Sequence, residues 1–251
     1  QEFLFRYREP ALCAHSWAES RYMPTPTIIE AAQALYKNHS VEEISRSDAG
    51  VVNLSHTNAS ISEVIENSKK YSHIIPYYNT QIYFADKNYA EVISYGEKQL
   101  QRNSIKNRRE INQLVGQAYF EKKNFKKALP FLEEFSNSSS RLREEDLYQV
   151  AYTECKNSKY NEAIKNFEEL TALKSSLGQN ALYNLADCHL KTNDKLSARN
   201  AFKAASQMNY DRNVKSESQF NYAKLSYDLK DDKEAINGLR AVPKTSANYR
   251  E

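Results

Sequence analysis

Histidines are the side chains best suited to general acid–base work or metal ligation. This sequence has His15, His39, His56, His73 and His189, and no two stand four residues apart, the spacing that would place two imidazoles on one helix face. Cys188 and His189 are adjacent; on a helix they point roughly 100° apart and make a poor joint ligand. The three cysteines, Cys13, Cys155 and Cys188, are odd in number and lack C-x-x-C spacing. That argues against a disulfide framework or structural zinc and reads instead as small buried residues. Glu144 and Glu145 fall at an expected helix start, where the macrodipole accounts for paired acids without chemistry. The sequence contains no G-x-S-x-G, no phosphate loop and no dinucleotide fingerprint. An enzyme is not expected, and neither is a cofactor or a metal.

What must then be explained is the scaffold. The formal charge of +3, with 27% charged residues, gives no electrostatic reason to expect nucleic acid or an anionic membrane surface as the main ligand. Five glycines and six prolines in 251 residues leave few places for tight β-turns, and Lys, Glu, Leu and Ala are plentiful, so the chain should be largely helical. No window has the apolar length of a membrane span. The first residue is Gln1, with no charged-then-apolar leader after it, which suggests a removed signal peptide or a shortened chain.

A register runs through the chain. Small or β-branched residues recur with a second such residue twelve positions later and a bulky one four further on, at Thr80/Val92/Gly96, Gly116/Ala128/Leu132, Ala151/Ala163/Phe167, Ala186/Ala198/Phe202 and Ala223/Ala235/Leu239. Gly96 makes the first set the weakest. The leading members are 36, 35, 35 and 37 residues apart, the period of a helical solenoid. Small residues let two helices cross closely, and the bulky residue fills the space toward the next hairpin. Between the helices sit Asn88, Asn124, Lys159, Asp194 and Asp231, four of which can cap the second helix. Pro130 lies inside one such second helix and should bend it near Lys126.

These stretches resemble the tetratricopeptide repeat family. "QLVGQAYFEKKNFKKALPFL" supplies Val115-Gly116, Tyr119, Phe125, Ala128 and Leu132. "LYQVAYTECKNSKYNEAIKNF" has Glu154 in the first aromatic slot, and "LYNLADCHLKTNDKLSARNAF" has His189 and Lys195 in the two slots. The last unit has Ser226 and Asp232 there. The resemblance covers residues 109–242, with a degenerate unit at 73–108. It implies an all-α, α-α superhelix of about five helical hairpins, near 73–104, 109–140, 144–175, 179–210 and 216–242, stacked with a right-handed sense. The repeats fall near 73–108, 109–143, 144–178, 179–215 and 216–250, within an array at 73–251. Residues 1–72 lie outside the register and read as a diverged helical segment with a polar loop near 45–60.

In this family the first helix of each hairpin lines the concave surface. Carried over by register, the inward residues are Tyr77, Gln113, Tyr148, Tyr183 and Phe220, then Gln81, Gln117, Tyr152, Asp187 and Lys224, then Phe84, Phe120, Cys155, Leu190 and Tyr227. Aromatics with amides and isolated charges suit a peptide or partner protein, and the alternative is that the same rings pack as core. Lys224 is the one basic residue among them, which disfavours a clamp for a C-terminal carboxylate. The expected function is a non-enzymatic interaction scaffold. Alternatives are an envelope receptor for a small molecule or glycan, or an accessory region of a larger protein. The Lys-, Asn-, Ser- and Tyr-rich style resembles bacterial envelope members of the family and favours a periplasmic or outer-membrane-associated location. Counting from Ser216 makes the ending "NYRE" read as the lead-in to a further hairpin, so that Leu225, Leu229, Ile236 and Leu239 should form an uncapped face prone to self-association.

Overall fold

The computed structural model describes His73, residues 75–138 and residues 141–242; the expected N-terminal segment lies outside these. Among the described residues the regular elements are ten α-helices. They are α1 (Ile75–Ala85), α2 (Tyr89–Leu100), α3 (Arg108–Glu121), α4 (Phe125–Asn137), α5 (Glu144–Lys156), α6 (Tyr160–Glu168), α7 (Ser176–Lys191), α8 (Lys195–Gln207), α9 (Arg212–Asp228) and α10 (Asp232–Arg240). The chain divides into two compact units, Gln1–Lys122 and Lys123–Glu251.

One turn joins the two helices of a hairpin, and it recurs. Lys87, Lys123, Ser158, Asn193 and Lys230 all have left-handed backbone, with φ between 56° and 64°. They are spaced as the leading small residues are, each seven positions after one. The following residue closes the first helix by donating its N–H five residues back: Asn88 to Tyr83 O (2.9 Å), Lys159 to Glu154 O (2.9 Å), Asp194 to His189 O (2.8 Å) and Asp231 to Ser226 O (2.8 Å). This is a Schellman closure. The same residue opens the second helix. Side chains of Asn88, Asn124, Asp194 and Asp231 accept from the N–H three residues on, at 3.4, 3.3, 3.0 and 3.4 Å. Asn88, Asp194 and Asp231 thus serve two helices at once. Lys159 makes no side-chain cap; its Nζ pairs with Glu133 on α4.

In the first unit α2 packs against both α1 and α3. Thr80 and Val92 are fully buried. A Cβ on Gly96 would stand 2.4 Å from Val115 Cγ2, so the bulk missing from Gly96 is supplied by Val115 of α3. The first set is therefore a variant of the pattern, with the side chain coming from the other helix.

The second unit runs from α4 to α10, each helix packing on the next, while α5 meets α7 and α7 meets α9. Ala151, Ala163, Phe167, Ala186, Ala198 and Phe202 have no solvent exposure. In the last pair the close approach uses Gly238, whose Cβ would lie 2.7 Å from that of Ala223. Leu239 is correspondingly 49% exposed, as is Ile236, and Leu229 is half-buried. Leu225, expected on the same uncovered face, is instead buried, because α9 is packed by both α8 and α10.

Several helix ends differ from expectation by three or more residues, and two of the differences have a visible cause. Helix α9 begins at Arg212, four residues before Ser216, because the Asp211 carboxylate accepts from Asn213 N (2.8 Å) and Val214 N (3.1 Å). Gln179 fixes the chain just before it, accepting from Tyr210 N and Asp211 N and donating to the carbonyls of Ala205, Met208 and Asp211. Helix α6 stops at Glu168, and buried Leu170 anchors the turns that follow. Pro130 interrupts no helix: α4 runs through it as one element.

Replacing Ala163 or Ala198 with Leu should overpack these buried contacts and lower stability by roughly 1–3 kcal/mol in urea unfolding. The left-handed residues give a prediction of opposite sign. An L side chain there costs roughly 1–2 kcal/mol, and glycine's greater unfolded freedom returns about 0.5–1 kcal/mol of that. Lys230→Gly should therefore stabilise the chain by about 0.5–1 kcal/mol in the same titration.

Candidate partner-binding face

The first helices of the second unit, α5, α7 and α9, carry nine of the residues expected to face inward, and their exposure changes from helix to helix. On α5 they are interior. Tyr148 is fully buried, stacked on Tyr152 at 6.1 Å between ring centroids and edge-on to Phe167 at 5.7 Å. Its hydroxyl accepts from Asn184 Nδ2 at 3.0 Å. Tyr152, also buried, meets the Phe125 ring edge-on, and Lys156 Nζ lies 5.0 Å from its centroid. Cys155 is buried against Cys188. These residues hold α4, α5, α6 and α7 together and present no ring to solvent.

On α7 the character changes. Tyr183 is half-buried, edge-on to Phe202 at 5.4 Å. Burial pushes its hydroxyl up from the usual tyrosine range, and the nearby carboxylates of Glu217 and Asp187 add to that. Asp187 is buried beside it, and Leu190 is half-buried. On α9, Phe220 and Lys224 are half-buried, with Lys224 Nζ 5.9 Å from the Phe220 ring centroid. Tyr227 is 62% exposed, and Lys230 Nζ lies 5.9 Å from its ring. Helix α7 is covered by α9, as α5 is by α7, so the accessible aromatics collect toward α9.

In the first unit Tyr77, Gln81, Phe84 and Gln113 are half-buried, while Gln117 and Phe120 are buried. Gln81 Nε2 donates to Tyr77 Oη at 2.6 Å, and Phe84 meets Tyr89 edge-on at 5.5 Å. The register places these residues on the first helices but does not separate exposed rings from core.

It also passes over the amides two positions before the leading alanines. Asn184 and Asn221 stand at equivalent places on α7 and α9; the first binds Tyr148 and the second faces the Tyr183 hydroxyl. Their recurrence 37 residues apart is a signal that the sequence does contain.

The slots that depart from the aromatic pattern hold polar pairs. Where Tyr83 meets Tyr95 edge-on at 5.7 Å, the equivalent Glu154 accepts from Asn166 Nδ2 at 2.7 Å. His189 sits half-buried with Nδ1 3.8 Å from Asp194, and Ser226 Oγ donates to Tyr222 O at 2.9 Å. Among the described residues no group of three or more His, Cys, Asp or Glu could hold a metal ion, and no helix is long and apolar enough to cross a membrane.

Solved structures with the same helix arrangement decide the fold. A TPR protein with an unusual peptide-binding site, YrrB, superposes over 72% of this chain and 89% of its own, with a TM-score of 0.58 at 14% identity. The fold is the all-α tetratricopeptide-repeat superhelix. MamA is similar over 64% of this chain and 90% of its own, with a TM-score of 0.53 at 14% identity. MamA from Desulfovibrio magneticus RS-1 gives 66%, 90%, 0.52 and 16% for the same quantities. No family model and no curated protein matches the sequence.

Within this tetratricopeptide fold the Glu154 slot has a pH signature. Burial pushes the carboxyl up to about 7; the Asn166 hydrogen bond and Lys159 oppose that shift, and Glu133 and Glu162 reinforce it. A raised folded-state pKa means the folded chain binds this proton more tightly than the unfolded chain. The contribution is complete below the usual carboxylate range and is lost as pH rises through about 7. Glu154→Gln keeps an acceptor for Asn166 and removes the charge. It should stabilise the chain by roughly 1–3 kcal/mol at pH 8 and leave it little changed at pH 5, read by urea unfolding at both. An equal effect at the two pH values would contradict this assignment.

Proposed function

We propose that this chain is a non-enzymatic interaction scaffold that holds a peptide or an extended segment of a partner protein along its inward face, with α7 and α9 as the main contact. One observation carries the proposal: Phe220, Lys224 and Tyr227 follow one another along α9, alternating ring and cation, and Tyr227 leaves most of its surface in solvent. A large aromatic exposed beside a half-buried one and a lysine is the composition of an interaction hot spot. Tyr183, whose hydroxyl bonds with Glu217 and Asn221, contributes a half-buried ring on α7. The peptide-binding site named for YrrB is a property of that protein; it supports the reading by showing that this fold can carry one. A periplasmic or outer-membrane-associated location is part of the same proposal, motivated by composition.

Selection from a random peptide library on the full chain tests it. Enriched peptides should bind at least tenfold more weakly to Phe220→Ala/Tyr227→Ala, a loss of about 1.4 kcal/mol or more, with helical circular dichroism retained. Lys224→Glu should shift the selected peptides toward basic sequences. No enrichment, or equal binding by the double variant, would overturn the proposal.

A further inference from the structure

Helices α5 and α7 belong to successive hairpins, and they bring two thiols together. Cys155 Sγ and Cys188 Sγ are 2.8 Å apart, from positions 33 residues apart in sequence. Both are free thiols, Cys155 with 8% exposure and Cys188 with none. A disulfide bond is about 2.05 Å long, so the sulfurs need to approach by about 0.8 Å more. Simple burial of small residues explains each cysteine but not their meeting. The register positions equivalent to Cys155 are Phe84, Phe120, Leu190 and Tyr227, all large. The one small residue in that row is a cysteine, and what fills the space beside it is another.

We propose that Cys155 and Cys188 are a site of reversible oxidation, closing an intrachain disulfide between the first helices of neighbouring hairpins by exchange with a small-molecule disulfide of the glutathione type. The more exposed Cys155 reacts first. Its thiol gives up a proton, the thiolate attacks one sulfur of the small disulfide, and that S–S bond breaks to release one small thiolate. Cys188, deprotonated in turn, attacks the Cys155 sulfur of the mixed disulfide, and the second small thiolate leaves. Two cysteine thiols are oxidised, one small disulfide is reduced to two thiols, and the two protons end on those thiols. Contact with Cys155 and burial push the Cys188 thiol up, so it is a slow nucleophile in the folded chain. The bond therefore forms as the chain folds or when the α5–α7 contact opens. Once closed it is reached by reductant when the same contact opens, and it ties two repeats covalently.

The test is to reduce and unfold the full chain, refold it in buffer rich in oxidised glutathione, quench with iodoacetamide and map the peptides by mass. The expected result is a Cys155–Cys188 link in most molecules, with Cys13 outside any protein disulfide and carrying glutathione or the alkyl group. The link should disappear after dithiothreitol and remain in the Cys13→Ala chain, which excludes a route through the third thiol. Cys155 and Cys188 found alkylated or glutathionylated as completely as Cys13, or links to Cys13 as frequent as the link between them, would overturn the proposal.

Discussion

A single residue in left-handed conformation ends each first helix, and the rest of the hairpin depends on it. The chain must reverse within three residues. The Schellman closure does so by satisfying the last carbonyls of one helix, and its final residue satisfies the first N–H groups of the next. Because the turn is this short, the distance from leading small residue to turn is constant, and the second helix returns in the same register every time. Burial of Ala151 with Ala163, or of Ala186 with Ala198, follows from that geometry. Side chains in the turn are then free to vary, provided the residue after it can cap. Lys159 shows the limit of that freedom: it cannot cap, and it pairs instead with Glu133 on α4, the second helix of the preceding hairpin.

The polar substitutions in the aromatic slots have a common logic. A slot between two helices of one hairpin can be filled by two rings or by a hydrogen-bonded pair, and the chain uses Tyr83 with Tyr95 in one place and Glu154 with Asn166 in another. A buried carboxyl is tolerated there because its bond to Asn166 satisfies one oxygen and protonation relieves the charge. The stripe expected to face inward follows a different rule. Helix α5 is covered by α7 and α7 by α9, so rings on α5 become core while chemically similar rings on α9 remain exposed.

Most of the fold was legible in the sequence, for a physical reason. The spacing of small residues is imposed by helix crossing, and Asn or Asp recurs because capping demands it, so both survive as letters. The left-handed residues of the hairpin turns are Lys, Lys, Ser, Asn and Lys, none of them glycine, and their conformation leaves no mark of its own. Gly96 and Gly238 were misleading or silent for a related reason: what a glycine makes room for lies on another helix, Val115 in one case and Ala223 in the other. The candidate face was legible only in outline. Register chose the helices, but Tyr148 and Tyr227 are the same residue type on the same inward stripe, and only packing makes one core and the other surface. The meeting of Cys155 with Cys188 was hidden because their separation falls two residues short of the local 35-residue period, so they occupy different rows of the register.

The recurrence of one turn conformation is the claim on which the account rests, and nuclear Overhauser measurements on the isotopically labelled chain address it directly. A strong intraresidue amide–Hα effect marks positive φ, whereas helical and extended residues give a weak one. The account predicts strong effects at Lys87, Lys123, Ser158, Asn193 and Lys230 and weak ones at the residues on either side of each. Weak effects at Ser158 and Asn193, in a chain that is otherwise helical, would show that the hairpins close by another turn and would contradict it.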